Sequence, residues 1–158
     1  MIEIYTDGSS KGNPGKGGYG VVMIFNNNPQ YIKEISKGFR FTTNNRMELL
    51  AVIESLKMVK NRNYSINLYS DSKYVIQAIN KNWIFKWSAQ NYNGVKNEDL
   101  WKSLTKMLPS YNINFFWIKS HIGNQYNERA DQLAFEASNK EKKLDIDLYY
   151  EYNYIHKK

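Results

Sequence analysis

The spacing of apolar residues, and the points at which it changes, most constrains how this chain folds. Residues 1–7 alternate apolar with polar side chains, as a strand does, and residues 19–26 and 30–41 are predicted to form two more strands. Segments rich in Gly, Asn and Pro separate the three. Consecutive strands joined by such turns predict an antiparallel meander.

From residue 43 onward the spacing is that of a helix. Thr43, Asn44 and Asn45 are each suited to cap its first turn. The apolar positions that follow recur every three or four residues: Leu49, Val52, Ile53, Leu56 and Val59. This pattern predicts an amphipathic helix of about four turns.

The rest of the chain alternates between the two patterns. We predict irregular structure for residues 83–96, strands for 66–70 and 113–118, and helices for 72–79, 97–108 and 127–138. Because a helix follows the third strand, the fourth strand is able to pair in parallel. The order of elements in these 158 residues predicts one α/β domain, with a mixed sheet covered by helices.

The net charge of +7 favours anionic partners, with nucleic acid ahead of a membrane surface, although a solvated basic surface is the plain alternative. The chain has no cysteine, which excludes disulfides and cysteine-based zinc sites. It opens with neither a basic nor an apolar leader, and no apolar segment approaches the roughly 20 residues of a membrane span. We therefore expect a cytoplasmic protein with no membrane contact.

Two strand ends carry the same short pattern. Residues 4–7 are Ile-Tyr-Thr-Asp and residues 68–71 are Leu-Tyr-Ser-Asp. Asp7 and Asp71 each follow a tyrosine by two positions, so each carboxylate points to the same side of the sheet as that tyrosine. For Asp71 alone a helix cap is the simpler interpretation, but the matching contexts favour one shared site.

Two further carboxylates, Glu48 and Asp131, lie early in predicted helices, and His121 lies in a loop just ahead of the second. Clustered carboxylates repel one another and take up protons unless a cation holds them. Oxygen ligands suit Mg²⁺ or Mn²⁺, and two such ions about 3.5–4 Å apart promote phosphoryl displacement. Zinc is disfavoured, because His121 and His156 lack ligand spacing. Paired carboxylates of a glycosidase stay open on pattern, although the basic charge argues against them.

Five segments, in this order, resemble the motifs of the ribonuclease H type 1 family: YTDGSSKGNPGKGGYG, TTNNRMEL, YSDSKYV, VKNEDLW and WIKSHIGNQYNERAD. The resemblance covers about residues 1–138. It implies the ribonuclease H fold, with a five-stranded mixed sheet of order 3-2-1-4-5, in a catalytic domain over residues 1–140. Residues 141–158 then form a C-terminal tail. The implied activity is endonucleolytic cleavage of the RNA strand of an RNA–DNA hybrid, which leaves 5′-phosphate and 3′-hydroxyl ends.

The resemblance also implies roles for the acidic residues. Asp7, Glu48, Asp71 and Asp131 would bind two Mg²⁺ ions, with Mn²⁺ as a substitute. Asp7 would bridge both ions, Glu48 and Asp71 would hold the ion at the leaving group, and Asp131 would hold the ion that activates water. His121 matches a loop histidine that helps proton transfer or product release.

Substrate contacts follow from the same resemblance. Asn13, Asn44 and Asn45 match residues that contact the minor groove of the hybrid, including RNA 2′-hydroxyls, which distinguish RNA from DNA. Thr43 and Asn97 match a pocket for a DNA-strand phosphate. Helix capping explains all of these except Asn13 equally well, but capping and anion binding are compatible at a helix N-terminus.

Two more residues match substrate contacts. Lys73 would contact the RNA strand, and Trp83 would pack on DNA sugars, although Trp83 also suits a core. The chain departs from the family at Phe41, where some relatives carry arginine. Whether the neighbouring Arg40 takes the place of that arginine is left open by the sequence. The segment that follows the second predicted helix is also poor in Lys and Arg compared with many relatives. We expect weaker hybrid affinity and a shallower salt dependence as a result.

The tail alternates apolar and polar residues from Leu144 to Tyr154, a strand-like period of two. It is expected to be disordered, to pack on the domain, or to dock on a protein partner. Two other functions remain open for the whole chain, which we expect to be a monomer. One is another nuclease or strand-transfer enzyme of the same fold, and the other is a hybrid-binding module without catalysis.

Overall fold

Five strands form a single mixed sheet in the computed structural model, which describes residues 1–119, 123–140 and 143–156. The strands are β1 (Ile2–Lys11), β2 (Gly15–Phe25), β3 (Tyr31–Thr42), β4 (Ser65–Ser70) and β5 (Asn112–Trp117). Their spatial order is β3-β2-β1-β4-β5. The first three pair antiparallel, whereas β4 pairs parallel to both β1 and β5. The predicted fold and strand order are therefore confirmed.

Six helices accompany the sheet within the described residues. They are α1 (Asn44–Lys57), α2 (Lys73–Asn80), α3 (Trp83–Ala89), α4 (Glu98–Met107), α5 (Gln125–Asn139) and α6 (Leu148–His156). None of these helices is long and apolar enough to cross a bilayer. Helix α1 contributes to the large core on one face of the sheet, whereas α5 packs on β1, β2 and β3 from the other face.

The hairpin between β1 and β2 is longer than the sequence predicts. Pairing continues as far as Lys11 with Lys16, through a segment that glycine spacing predicts to be a turn. The glycines of β2 serve helix packing instead. A Cβ on Gly18 would lie 2.7 Å from the carbonyl oxygen of Ala134, and one on Gly20 would collide with that of Ala130. Glycine therefore allows α5 to lie directly on the β2 backbone.

Two local predictions are wrong. Residues 83–96 are not irregular throughout, because residues 83–89 form α3, whose Trp87 packs edge-on against buried Trp101 with ring centroids 5.2 Å apart. The strand-like alternation over residues 144–154 does not give a strand: an isolated bridge joins Asp145 to Phe39, and α6 follows, while the expected packing of this segment on the domain is confirmed. Phe41 contacts Tyr150 and Tyr154, which are four residues apart and share one face of a helix. This tertiary contact outweighs the alternating pattern.

Candidate active site

Parallel pairing of β1 with β4 brings the two matching strand ends together. Tyr5 lies opposite Tyr69, and Thr6 lies opposite Ser70. Asp7 continues β1, and Asp71 follows the last residue of β4 directly. The tyrosine rings stack with centroids 4.9 Å apart, on the side of the sheet to which both carboxylates point. The register thus places Asp7 and Asp71 side by side, as the repeated pattern predicts.

Glu48 reaches the same point because α1 crosses β1 closely. A Cβ on Gly8 would clash with the backbone of Met47 and Glu48, so glycine at this position sets the distance between helix and strand. The start of α1 is fixed by Thr43, whose side chain accepts a hydrogen bond of 3.2 Å from the backbone amide of Arg46. Glu48 is then one turn into the helix and buried.

Asp131 approaches from the opposite face of the sheet. Gly20, which pairs with Asp7, lies against the backbone of α5 at Ala130. The next residue, Asp131, is exposed at the surface of α5, and its carboxyl group lies within hydrogen-bonding range of Asp7. All four predicted carboxylates therefore contribute to one locality. His121 lies outside the described residues, so its predicted role stays a prediction.

Three of these carboxylates have metal-binding geometry. One carboxylate oxygen from each of Asp7, Glu48 and Asp71 lies within 4.8 Å of the other two. Asp7 and Glu48 are both 5% exposed, and the Oε1 atom of Glu48 is buried without a hydrogen-bond partner. A buried acceptor without a donor is costly unless a ligand or water satisfies it. The three oxygens and the unsatisfied Oε1 fit a hard divalent cation.

The protonation of the cluster leads to the same conclusion. Burial first, then the negative charge of Glu48, raises the pKa of Asp7 to about 10. Burial first, then the charge of Asp71, raises the pKa of Glu48 well above its ordinary value, although a hydrogen bond that the carboxylate accepts from the Gly8 backbone amide opposes the rise. Without a cation the buried pair therefore holds protons near neutral pH. A divalent ion would replace those protons and allow the carboxylates to ionise.

Trp117 supports the rim of this cluster beside Asp71. Its indole Nε1 donates a hydrogen bond of 3.0 Å to the backbone carbonyl of Asp71. The ammonium of Lys73 lies 4.9 Å from the centre of the same indole ring. Lys73, predicted to contact the RNA strand, is thus exposed at the edge of the carboxylate cluster.

Predicted substrate residues gather around a neighbouring cavity of about 620 Å³. Asn13, Thr43, Asn45 and Asn97 all line it. Asn44, the remaining predicted minor-groove residue, links the β1–β2 hairpin to α1, because its backbone amide donates a hydrogen bond of 3.2 Å to Asn13 Oδ1. The structure therefore places the predicted minor-groove and phosphate contacts on one continuous surface.

Asn97 is the N-cap residue of α4, as the sequence predicts, but its side chain makes no capping hydrogen bond. Its backbone is left-handed, with φ of 61°, a conformation that asparagine tolerates. Its Nδ2 donates a hydrogen bond of 2.9 Å to the Tyr74 hydroxyl, and its Oδ1 accepts one of 3.3 Å from Arg46 Nη1. Tertiary partners thus fix Asn97 at the cavity.

Trp83 lies at the surface, not in the core. Its side chain is 37% exposed and lines a second cavity of about 330 Å³, together with Lys73 and Trp87. Lys81 places its ammonium 5.4 Å from the centre of the Trp83 ring. An aromatic surface with cations beside it suits the sugar contact predicted for this residue.

Four residues of α6 also line the larger cavity, and the sequence did not mark them as site residues: Tyr149, Tyr150, Asn153 and Tyr154. Their recurrence at intervals of one and four residues is the helical signal that the alternating pattern concealed. Arg46 and Lys96, which line the same cavity, were missed as well.

Comparisons with known proteins agree with this geometry. The family model described as RNase H matches residues 1–139. The Ribonuclease H of Desulforamulus reducens is 48% identical over 152 residues, covering 93% of this chain and 92% of the relative. The Ribonuclease HI of Helicobacter pylori is 50% identical over 133 residues, covering 84% of this chain and 90% of the relative.

Solved structures share the fold. LC9-RNase H1, a type 1 RNase H with the type 2 active-site motif, superposes with a TM-score of 0.79 over 96% of this chain and 80% of its own, at 24% identity. LC11-RNase H1, solved in complex with an RNA/DNA hybrid, gives a TM-score of 0.64 over 88% of this chain and 97% of its own, at 28% identity. Because the family model matches residues 1–139, and because the similarity covers most of both this chain and its curated relatives, this chain belongs to the RNase H family.

Proposed function

We propose that this protein cleaves the RNA strand of RNA–DNA hybrids by metal-dependent hydrolysis. The observation that carries the proposal is the buried carboxylate cluster of Asp7, Glu48 and Asp71, with Asp131 beside it. Membership of the RNase H family and the hybrid-bound LC11-RNase H1 support the substrate. A monomer working in the cytoplasm, as expected from the sequence, is part of this proposal.

The carboxylates would hold two Mg²⁺ ions, or Mn²⁺ in their place. These ions would lower the pKa of a bound water and stabilise the charge on the leaving oxygen. Asp7, which contacts the other acidic residues, would bridge the two ions. Glu48 and Asp71 would lie on the leaving-group side, and Asp131, exposed on α5, would lie on the water side. Cleavage would leave 5′-phosphate and 3′-hydroxyl ends.

Hybrid selection would come from the surface beside the cluster. Asn13 and Asn45 carry exposed amides there, each with both donor and acceptor atoms. Ribose 2′-hydroxyls in the minor groove offer the same two functions, and DNA lacks them. Thr43 and Asn97 would fix a phosphate of the DNA strand at the N-termini of α1 and α4, where backbone amides point outward.

The decisive assay incubates three labelled duplexes with the protein and Mg²⁺: an RNA–DNA hybrid, double-stranded RNA and double-stranded DNA. We expect cleavage of the hybrid alone, and no cleavage by Asp7→Asn or in EDTA. Cleavage of DNA would favour another nuclease of this fold. Tight hybrid binding by the wild type without cleavage would favour a binding module.

A further inference from the structure

Helix α6 shares a cavity with the residues predicted to bind the hybrid. The lining of the 620 Å³ cavity includes Thr43 and Asn97 from the body of the domain, and Tyr150, Asn153 and Tyr154 from α6. The chain from residue 143 onward was expected to be a disordered tail, a packed segment or a docking segment. The described part of this segment packs on the domain, as one of these expectations holds, and it also lines the candidate substrate surface.

The position of α6 is fixed by a buried carboxylate just before it. Asp147 is 9% exposed and accepts hydrogen bonds of 2.8 Å from Thr42 Oγ1 and 2.7 Å from Arg46 Nε. It also accepts a bond of 3.3 Å from the amide of Tyr150 in the first turn of the helix. These contacts join the end of β3, α1 and α6 behind the cavity. Asn153 takes no part in this attachment, and its Nδ2 donates a hydrogen bond of 2.7 Å to the Tyr149 carbonyl in the same helix.

A second attachment lies along β3. Arg40 donates three hydrogen bonds to the Glu151 carboxylate, one of 2.8 Å from Nη2 and two of 2.9 Å and 3.2 Å from Nε. The ring of Phe41 lies 5.6 Å from that of Tyr150 and 5.0 Å from that of Tyr154, measured between centroids. Arg40 is thus engaged by Glu151 of α6. Phe41 supports the α6 tyrosines.

Charge is nearly balanced around this part of the cavity. Arg46 is 2% exposed and bound by Asp99 at 2.7 Å as well as by Asp147, so it holds the elements together. Lys96 adds an exposed ammonium to the lining. Recognition by α6 must therefore depend on amide and phenol groups and on aromatic faces more than on net charge. Phenol rings offer large contact area with little loss of conformational freedom.

We propose that α6 is a substrate-binding element, in which Tyr150, Asn153 and Tyr154 contact the DNA strand of the hybrid beside Thr43 and Asn97. The phenol and amide groups would hydrogen-bond to a phosphodiester, and the rings would pack on the adjoining sugar. The inference rests on the proposed function for the identity of the ligand. It assigns to this chain a contact surface outside the segments whose motifs resemble the family.

Opposite charges placed at Asn153 test the contact, with Tyr152 as the matched control. Tyr152 is 64% exposed, adjacent in sequence, and absent from the cavity lining. We expect Asn153→Asp to raise KM for the hybrid, and Asn153→Lys to lower it, by about three- to tenfold at low salt, with kcat little changed. Tyr152→Asp and Tyr152→Lys should shift KM by less than about twofold, because position 152 does not line the cavity and solvent screens an exposed charge there.

Removal of residues 148–158, which keeps the Asp147 anchor, gives an independent arm. We expect KM to rise by a similar factor while the thermal midpoint shows that the domain stays folded. A lower KM after truncation would show that α6 hinders access of the hybrid to the cavity, and would overturn the proposal. Equal shifts at positions 152 and 153 would also overturn it. If the wild type cuts no hybrid, the proposed function fails, and anisotropy of a labelled hybrid with the same variants still decides the role of α6.

Discussion

Replacing Asp7 with asparagine should stabilise the metal-free protein while it abolishes cleavage. Burial and neighbouring carboxylates raise the pKa of Asp7 to about 10, from an ordinary value of 3.8. Near about pH 7 the folded protein therefore retains a proton that the unfolded chain has released. Each unit by which the pH exceeds the pKa of the unfolded aspartate adds about 1.4 kcal/mol to the cost of keeping this proton. Near pH 7 the cost is therefore at most about 4 kcal/mol. Because the carboxylates share their protons, we expect a gain of about 2 kcal/mol.

The sign of the pH dependence is fixed by the direction of the shift. Since the folded pKa lies above the unfolded one, the contribution of Asp7 to stability is full below about pH 4 and declines as the pH rises toward about 10. The advantage of Asp7→Asn should therefore be absent in acid and grow with pH. For a chain of this size, about 2 kcal/mol corresponds to a rise of roughly 4–8 °C in Tm.

Urea unfolding in EDTA at several pH values measures this difference. Asp145→Asn is the matched control, because Asp145 is a half-exposed aspartate whose ion pair with Lys37 is worth less than about 1 kcal/mol. Its effect should stay small and should not grow with pH. An Asp7→Asn protein no more stable than the wild type near about pH 8, or a gain independent of pH, would refute the reasoning.

Three further outcomes follow. Mn²⁺ binding should release protons and tighten as pH rises, because the cation displaces protons from Asp7 and Glu48; equal calorimetric heats in buffers of different ionisation enthalpy would contradict this. Arg46→Ala should lower the free energy of unfolding, measured in urea, by about 3–5 kcal/mol, because it removes the partner of the buried Asp147 carboxylate. A loss under about 1 kcal/mol would contradict a stabilising role for the Arg46 ion pairs. Hybrid affinity should fall with salt less steeply than the affinity of a relative that is rich in Lys and Arg after the second helix. The slope of log K against log salt concentration should be shallower by about 0.9 for each missing phosphate contact, and equal slopes would contradict this.

The fold and the convergence of the carboxylates were predictable because they depend on patterns repeated in the chain. Apolar spacing located the strands, and the matching ends at Asp7 and Asp71 predicted that the two carboxylates share one site. Glu48 could be assigned only by resemblance, because its position depends on how closely α1 crosses Gly8. Such a distance is a tertiary property that no local pattern contains.

The errors over residues 83–89 and in the tail share one physical origin, which is packing by aromatic residues. In α3, Trp87 packs against Trp101, and in α6, Tyr150 and Tyr154 pack against Phe41. In the tail, alternation and helical spacing coexist in one tyrosine-rich segment, so the pattern alone was ambiguous. The anchoring bond from Arg46 to Asp147 joins residues 101 positions apart. That separation hid both the helix and its share of the cavity.

The chemical identity of the RNA ends distinguishes metal-dependent hydrolysis from attack by the ribose 2′-hydroxyl. An RNA–DNA hybrid cut in Mg²⁺ should yield 5′-phosphate and 3′-hydroxyl termini, because water activated by ions that the carboxylates would hold would attack the phosphorus and the ribose 3′-oxygen would leave. Ligation and mass spectrometry of the fragments distinguish these ends from a 2′,3′-cyclic phosphate. A cyclic product, which arises by attack of the ribose 2′-hydroxyl, or cleavage that persists in Asp7→Asn, would contradict the account.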